Sequence, residues 1–339
     1  MVISTLKITG FRNLENRTLS FYPKTNLIHG LNGAGKTSIL EAIFLSAYGK
    51  SFLSRKKSEM INHHADEFII HLQVHQPPLT NQLTTHYKNR LTLFLDEKKT
   101  TLFDLNPYLY PVFFSSADYN LTIESTPYTR KMFDRFLFGA DSLYIRFLLG
   151  YNNALKQKNY LLKLNRHIPE LTSWNKTVSE LCKNIVGIKM KFVEHLNSGI
   201  KEKFNKNLTI HYRPSLKTDG SLSFFDQFEA LKFQELKYRR SLIGPHLDHF
   251  DITLNHQPLR LYSSGEKKIH LLMIYIAFIE LFRKIKHQYP IFLVDDFDTA
   301  MDEKNIDFLI QHYPDMQVIA TSVNEHHNFH HVVELKKEK

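Results

Sequence analysis

Residues 30–37 read Gly30-Leu31-Asn32-Gly33-Ala34-Gly35-Lys36-Thr37, a G-x-x-x-x-G-K-[ST] spacing between an apolar strand-like stretch at 26–29 and an apolar helix-like stretch at 38–47. A strand, a glycine loop and a helix in that order make a phosphate cradle. The glycines let backbone N–H groups turn inward, Lys36 reaches the outer phosphates, Thr37 offers a hydroxyl to Mg²⁺, and the helix start adds its positive dipole end. The four fixed positions occur by chance in roughly 1 chain of this length in 100, before the flanks are required. The motif therefore predicts an α/β core built around a site for ATP or GTP with Mg²⁺.

A second motif fits the first. Residues 291–296, Ile-Phe-Leu-Val-Asp-Asp, are four buried-strand residues ending in paired carboxylates, the form of a Walker B motif. Asp295 is the candidate Mg²⁺ residue, acting through water, and Asp296 is the candidate that orients or deprotonates an attacking water, with Lys36 its catalytic partner. A strand followed by an acidic turn is the plain alternative, and the phosphate loop outweighs it.

The charge points to a polyanionic partner. Lys plus Arg minus Asp plus Glu gives 44 − 34 = +10, and residues 151–210 hold eleven of the cations against four Glu, +7 of that total. Lys156, Lys158, Lys163 and Arg166 run together with Tyr151 and Tyr160, a candidate DNA-backbone face with aromatic neighbours; for any single lysine a solvated helix face explains as much. Cys182 is the only cysteine, which excludes an internal disulfide and a cysteine zinc site. No stretch has the length of a membrane span or the order of a signal peptide, so the expectation is a cytoplasmic protein with no membrane partner.

Along the chain, residues 2–12 and 18–21 read as a β-hairpin, and 66–74 and 91–95 as strands with a Pro77-Pro78 break between them. From 128 to 205 the spacing becomes helical, broken at Pro169, so that 167–173 reads as the turn of a helical hairpin. Strands resume near 208–212 and 250–254, followed by an apolar helix at 266–287 and strands at 291–294 and 318–321. The expectation is a head made from both chain ends, 1–115 with 236–339, and an inserted, mostly helical lobe at 116–235. His326, His327, His330 and His331 have i, i+4 spacing that could hold a metal, but read more simply as a solvated tail.

The stretch Tyr262-Ser263-Ser264-Gly265-Glu266, at the start of the long apolar helix, resembles the signature motif of ABC and SMC type ATPases. Further blocks at 6–14, 40–43, 49–52, 130–138, 151–159 and 239–248 resemble the RecF family of SMC-like ATPases of bacterial recombinational repair. The resemblance implies an ABC/SMC-like ATPase head, with a mixed sheet around the P-loop core, an antiparallel β subdomain and the inserted lobe. It also implies a head-to-tail homodimer held by ATP. In that dimer Ser263, Ser264, Gly265 and Glu266 complete the partner's site in trans, and Arg12 and Asn13 sit beside the nucleotide. DNA (gapped duplex and single-stranded) and mediator proteins of the RecR and RecO type are the implied partners, and recombinase loading the implied outcome. Several positions depart from the family pattern: Ser264 for Gly or Gln, Phe113-Phe114-Ser115-Ser116 where a Q-loop belongs, Thr299-Ala300-Met301-Asp302 as a loose D-loop, and Thr321-Ser322 at the switch position. They point to a weak, DNA-dependent ATPase; an adaptor gated by nucleotide with negligible turnover is the alternative.

Overall fold

The computed structural model describes residues 1–115, 119–164, 168–300, 308–309 and 311–336. It divides into two compact units, Met1–Tyr119 with Phe282–Lys339, and Asn120–Leu281.

The first unit opens with β1 (Val2–Phe11) and β2 (Leu14–Ser20), an antiparallel pair with Phe11 opposite Leu14. Alternation buries Leu6 and Ile8 on one face of β1, and the register shift between Ile3 and Thr5 brings buried Ile3 to the same face, opposite Val74. Next come β3 (Thr25–His29) and α1 (Lys36–Tyr48), joined by the glycine loop. The strands β4 (Phe68–Gln76), β5 (Leu79–Tyr87), β6 (Leu91–Leu95) and β7 (Lys98–Thr100) then extend the first pair into an antiparallel sheet of order β2-β1-β4-β5-β6-β7. Pro77-Pro78, read from sequence as a break, is the connection of the β4–β5 hairpin, and β5 went unseen because most of its positions are polar. A one-turn helix, α2 (Leu102–Leu105), leads to β8 (Pro111–Ser115).

The helix α3 (Tyr119–Glu124) enters the second unit at Asn120, and α4 (Thr126–Ala140), α5 (Ser142–Leu164) and α6 (Ile168–Phe204) follow within it. Of the expected turn at 167–173, residue 167 lies outside the described residues and 168–173 are the first stretch of α6, with Pro169 in the first turn, where its missing N–H costs nothing. After β9 (Leu208–Arg213) comes α7 (Phe224–Tyr238), capped by Ser223, whose hydroxyl accepts from the Asp226 amide. Then β10 (His249–Leu254) pairs antiparallel with β9, and β11 (Gln257–Pro258) with β10. Residues 236–281 were expected with the head, yet most pack here. The reason lies at Asp248, which is fully buried and receives Lys189 Nζ at 3.2 Å, Tyr212 Oη at 2.6 Å and the Ser215 amide at 3.0 Å.

The long helix α8 (Ser264–Lys286) leads to β12 (Ile291–Asp295), the short α9 (Phe297–Ala300), β13 (Val318–Ser322) and β14 (His331–Glu334). These strands join β3 and β8 in a five-stranded sheet of order β14-β3-β13-β12-β8, parallel at every pairing. The mixture of strand directions is thus between two sheets rather than within one. Leu27, Ile28, Leu293, Val294, Ile319 and Ala320 are fully buried, as central parallel strands covered on both faces require. The C-terminal ends of β3 and β12 deliver the glycine loop and the paired aspartates to one edge, the usual place for a ligand in a parallel sheet. Among the described residues no helix is long and apolar enough to cross a membrane.

Candidate nucleotide-binding site

The loop between β3 and α1 turns on glycines that no other residue replaces. Gly30 has φ 147°, and a Cβ there would stand 2.4 Å from the Leu335 carbonyl oxygen; Gly35, at φ 100°, would press one to 2.6 Å from Leu14 Cδ2. Leu31, Asn32 and Gly33 form the exposed rim, and Ala34 is buried beneath it. Lys36 folds back into the loop, donating to the Gly30 carbonyl at 2.6 Å and the Leu31 carbonyl at 3.1 Å. Burial pulls its pKa down, while the charges of Asp296, Asp295 and Asp298 pull it back up, so three carboxylates act on this one ammonium.

The sequence candidates for metal and water meet one another. Thr37 Oγ1 donates to Asp295 Oδ1 at 3.0 Å, and Thr321 Oγ1 donates to the same oxygen at 2.7 Å while accepting the Asp296 amide at 2.9 Å. Burial raises the Asp295 carboxyl above its ordinary range, and the two hydroxyls oppose that shift. Asp296 lies at φ 54°, a left-handed conformation outside the strand, and its Oδ2 accepts from Thr299 Oγ1 at 2.6 Å. Thr37 and Asp295 supply hard oxygen donors that fit Mg²⁺. Among the described residues no three His, Cys, Asp or Glu side chains gather as a metal cage.

Arg12 and Asn13 form the turn of the first hairpin. Arg12 sits at φ 57°, and its Nε and one Nη bond the two oxygens of fully buried Glu41 at 2.8 and 2.6 Å. Asn13 donates to the Gly33 carbonyl at 2.9 Å and accepts from Ser38 Oγ at 3.1 Å, so it ties the hairpin to the loop. Together with Ser38, Leu53 and Asn62 they line a cavity of ≈ 550 Å³ beside the loop.

In the second unit Ser263 caps α8 in a reciprocal box. Its Oγ and its amide both donate to Glu266 Oε2, at 2.7 and 3.1 Å. These bonds hold the Glu266 carboxyl below its usual range, and Ser264, Gly265 and Glu266 are exposed. A Cβ on Gly265 would meet nothing within 4 Å, so the helix start stands open to an approaching group.

The sequence model of the family described as RecF/RecN/SMC N terminal domain matches residues 2–337. The chain belongs to this family. It is 28% identical over 341 residues to the DNA replication and repair protein RecF of Agathobacter rectalis, covering 95% of this chain and 92% of the relative. It is equally 28% identical over 347 residues to the RecF of Acetivibrio thermocellus, covering 96% and 94%. Among solved structures it superposes on the recombination mediator protein RecF-ATP in the RecFOR pathway with TM-score 0.87 and 25% identity, over 96% of this chain and 93% of that one. An SmcHead bound to the C-winged helix domain of ScpA follows the same fold at TM-score 0.54 and 16% identity, over 96% and 90%. The expected ABC/SMC-type head, with its antiparallel subdomain and helical lobe, is therefore the fold.

Within this family fold the DNA candidates separate. Lys156 and Lys163 are exposed on α5, and Arg166 lies outside the described residues. Lys158 is fully buried, with Nζ 2.7 Å from Glu235 Oε2 and 4.2 Å from the Phe228 ring centroid, so it is unable to reach a phosphate and leaves the list of DNA contacts. Tyr151 is buried too, with its hydroxyl 2.5 Å from His246 Nδ1. The carboxyl-terminal histidines also need correction. His326 Nε2 is 2.5 Å from Asp298 Oδ1, whose other oxygen accepts from Ser322 Oγ at 2.7 Å, and His330 Nδ1 is 2.8 Å from Thr25 Oγ1. An imidazole thus stands beside the loop aspartates although Thr321-Ser322 fills the switch position. The sequence signal was there, four residues beyond Ser322, but its partner Asp298 is distant in the chain.

Proposed function

We propose that the chain is an ATP-dependent DNA-binding switch of DNA replication and repair. The observation that carries this reading is the bond chain Thr37–Asp295–Thr321–Asp296, which joins phosphate loop and Walker B strand. Lys36 leaves its two carbonyls to meet the outer phosphates, and the amides of Gly33 to Thr37 face the negative charge. Thr37 and Asp295 would hold Mg²⁺, which would supply charge neutralisation at the phosphate oxygens. Asp296 is the residue that orients the attacking water, held in place by Thr299 and Thr321. The cavity lined by Arg12, Asn13 and Asn62 takes the nucleoside, with Arg12 as a fixed wall because Glu41 already binds its guanidinium.

A second copy supplies the signature. Ser263 and the open α8 start of one chain meet the γ-phosphate bound by the other, so two ATP molecules hold a head-to-tail pair, and hydrolysis removes the contact that favours it. For the phosphate to reach Ser263, the Glu266 carboxylate must turn away, since two anions repel at one helix start. Likeness to the recombination mediator RecF supports gapped or junction DNA as the substrate, RecR- and RecO-type proteins as partners and help to the recombinase as the outcome. The test is a pair of variants. Lys36→Ala should lose nucleotide binding, whereas Asp296→Asn should keep it and accumulate an ATP-held dimer. Unchanged turnover in Asp296→Asn removes Asp296 from its role.

A further inference from the structure

One face of the helical unit carries more than scattered lysines. Along α5, Lys156, Tyr160 and Lys163 follow at intervals of four and three, which places them on one side of the helix. All three are exposed, Tyr160 at 59%. The 23 residues of α5 include no Asp or Glu, so nothing on the helix itself neutralises the row.

The end of α7 is brought to the same helix. Glu235 of α7 pairs with Lys158 on the inward side of α5, as described above. After α7 the chain reverses at Arg239, whose φ is 55°, and the Ser241 amide donates to Asn159 Oδ1 at 2.8 Å. Asn159 is the neighbour of Tyr160. The turn therefore carries Tyr238, Arg239 and Arg240 to the flank of the exposed α5 row, and two anchors hold it there, one on each side of the reversal. Tyr238 is 59% exposed, and both arginines are exposed. Among the described residues none of these four cations has an ion-pair partner, and neither tyrosine ring has an aromatic or cation partner, although several lysines of the same unit do pair.

Four unneutralised cations interleaved with two open aromatic rings match one chemistry. Cations follow a phosphate backbone, and a flat ring offers its face to an unpaired base. A base inside a duplex has no free face to offer. We infer that the α5 row and the α7 turn together form a platform for a single-stranded segment of nucleic acid, with phosphates on Lys156, Lys163, Arg239 and Arg240 and bases stacked on Tyr160 and Tyr238. The inference rests on the DNA-binding reading above and adds which structure of DNA this face takes and which side chains read it.

The test measures binding of the full chain, by fluorescence anisotropy, to a labelled deoxythymidine oligonucleotide and to a blunt duplex of equal length. Stacking on an aromatic ring accounts for about 1–3 kcal/mol per base, or about 5- to 150-fold in affinity. Tyr160→Ala and Tyr238→Ala should each weaken the single strand by that factor and leave the duplex within about twofold, and Tyr160→Phe should restore it. Arg239→Ala with Arg240→Ala should flatten the single-strand salt slope by about 1.4, at about 0.7 per phosphate contact. Quenching of a 2-aminopurine in the bound strand should disappear in the tyrosine variants. If the wild type binds single strands and the tyrosine variants match it, or if they lose duplex equally, the platform is wrong while the DNA-binding reading stands. If the wild type binds neither form, and the face captures an acidic protein instead, both fail.

Discussion

Lys158 gives the sharpest contrast between a lysine in a basic run and a lysine in a core. Replacing it with Ala would strand Glu235, which is fully buried and, among the described residues, otherwise accepts only from Ser241 Oγ at 2.9 Å and the Leu242 amide at 3.0 Å through its other oxygen. Breaking a buried pair from one side costs about 3–5 kcal/mol. For a domain of this size each kcal/mol moves Tm by about 2–4 °C, so the helical unit should melt about 6–20 °C lower in scanning calorimetry of the full chain. The double variant Lys158→Met with Glu235→Gln drops both charges and keeps the acceptor for Ser241 and Leu242, and should recover most of the loss. Binding of DNA well below the melting point should be unchanged in salt slope. An unaltered Tm with a salt slope reduced by about one phosphate contact would refute the burial argument and return Lys158 to the DNA face.

Other consequences follow from the same geometry. His326→Ala or Asp298→Asn should lower kcat for ATP with little change in KM, because the imidazole is held beside the Walker B aspartates rather than in the nucleoside cavity; a change confined to KM would contradict that placement. Glu266→Gln removes a negative charge from the α8 start while keeping the cap on Ser263, and should lower the ATP concentration that half-saturates dimer formation; a rise would show that the carboxylate helps the partner site. His246 is half-buried against Tyr151, with its pKa pulled down to about 4, first by desolvation and then by Arg130. The unfolded chain therefore binds the extra proton between about pH 6.5 and 4, and stability should fall by up to about 3 kcal/mol as the pH drops through that window. His246→Gln should remove that component of the acid sensitivity measured by urea denaturation.

How much could be read in advance depended on whether a residue's partner was near in sequence. The phosphate loop was legible because its glycines carry a conformational demand that no other residue meets, and β12 because four apolar residues ending in two aspartates have few other uses. β5 was missed because its outward positions are polar and a proline pair precedes it. Lys158 was misread as part of a charge run, although the buried positions Tyr151, Ala154, Lys158 and Leu162 trace the inward stripe of α5 at helical spacing. That stripe was available from sequence, while Glu235 as its partner was not. The histidines at 326–331 were judged by an i, i+4 spacing that assumes a helix, whereas His331 begins a strand. His326 acquires its setting from Asp298, a pairing that only the sheet brings about. Arg12 reads from sequence as a nucleotide contact, and the demand it meets in the structure is that of Glu41 beneath it.

In the proposed switch, nucleotide joins two copies through Lys36 of one and Ser263 of the other. Sedimentation velocity of the full chain with Mg²⁺ and a slowly hydrolysed ATP analogue, in the presence of gapped duplex, tests it most directly. The expected result is a monomer without nucleotide, a dimer with it, and a monomer again in Ser263→Arg even though that variant still binds the analogue. A wild-type chain that stays monomeric at saturating analogue, or a Ser263→Arg chain that dimerises as before, would contradict it.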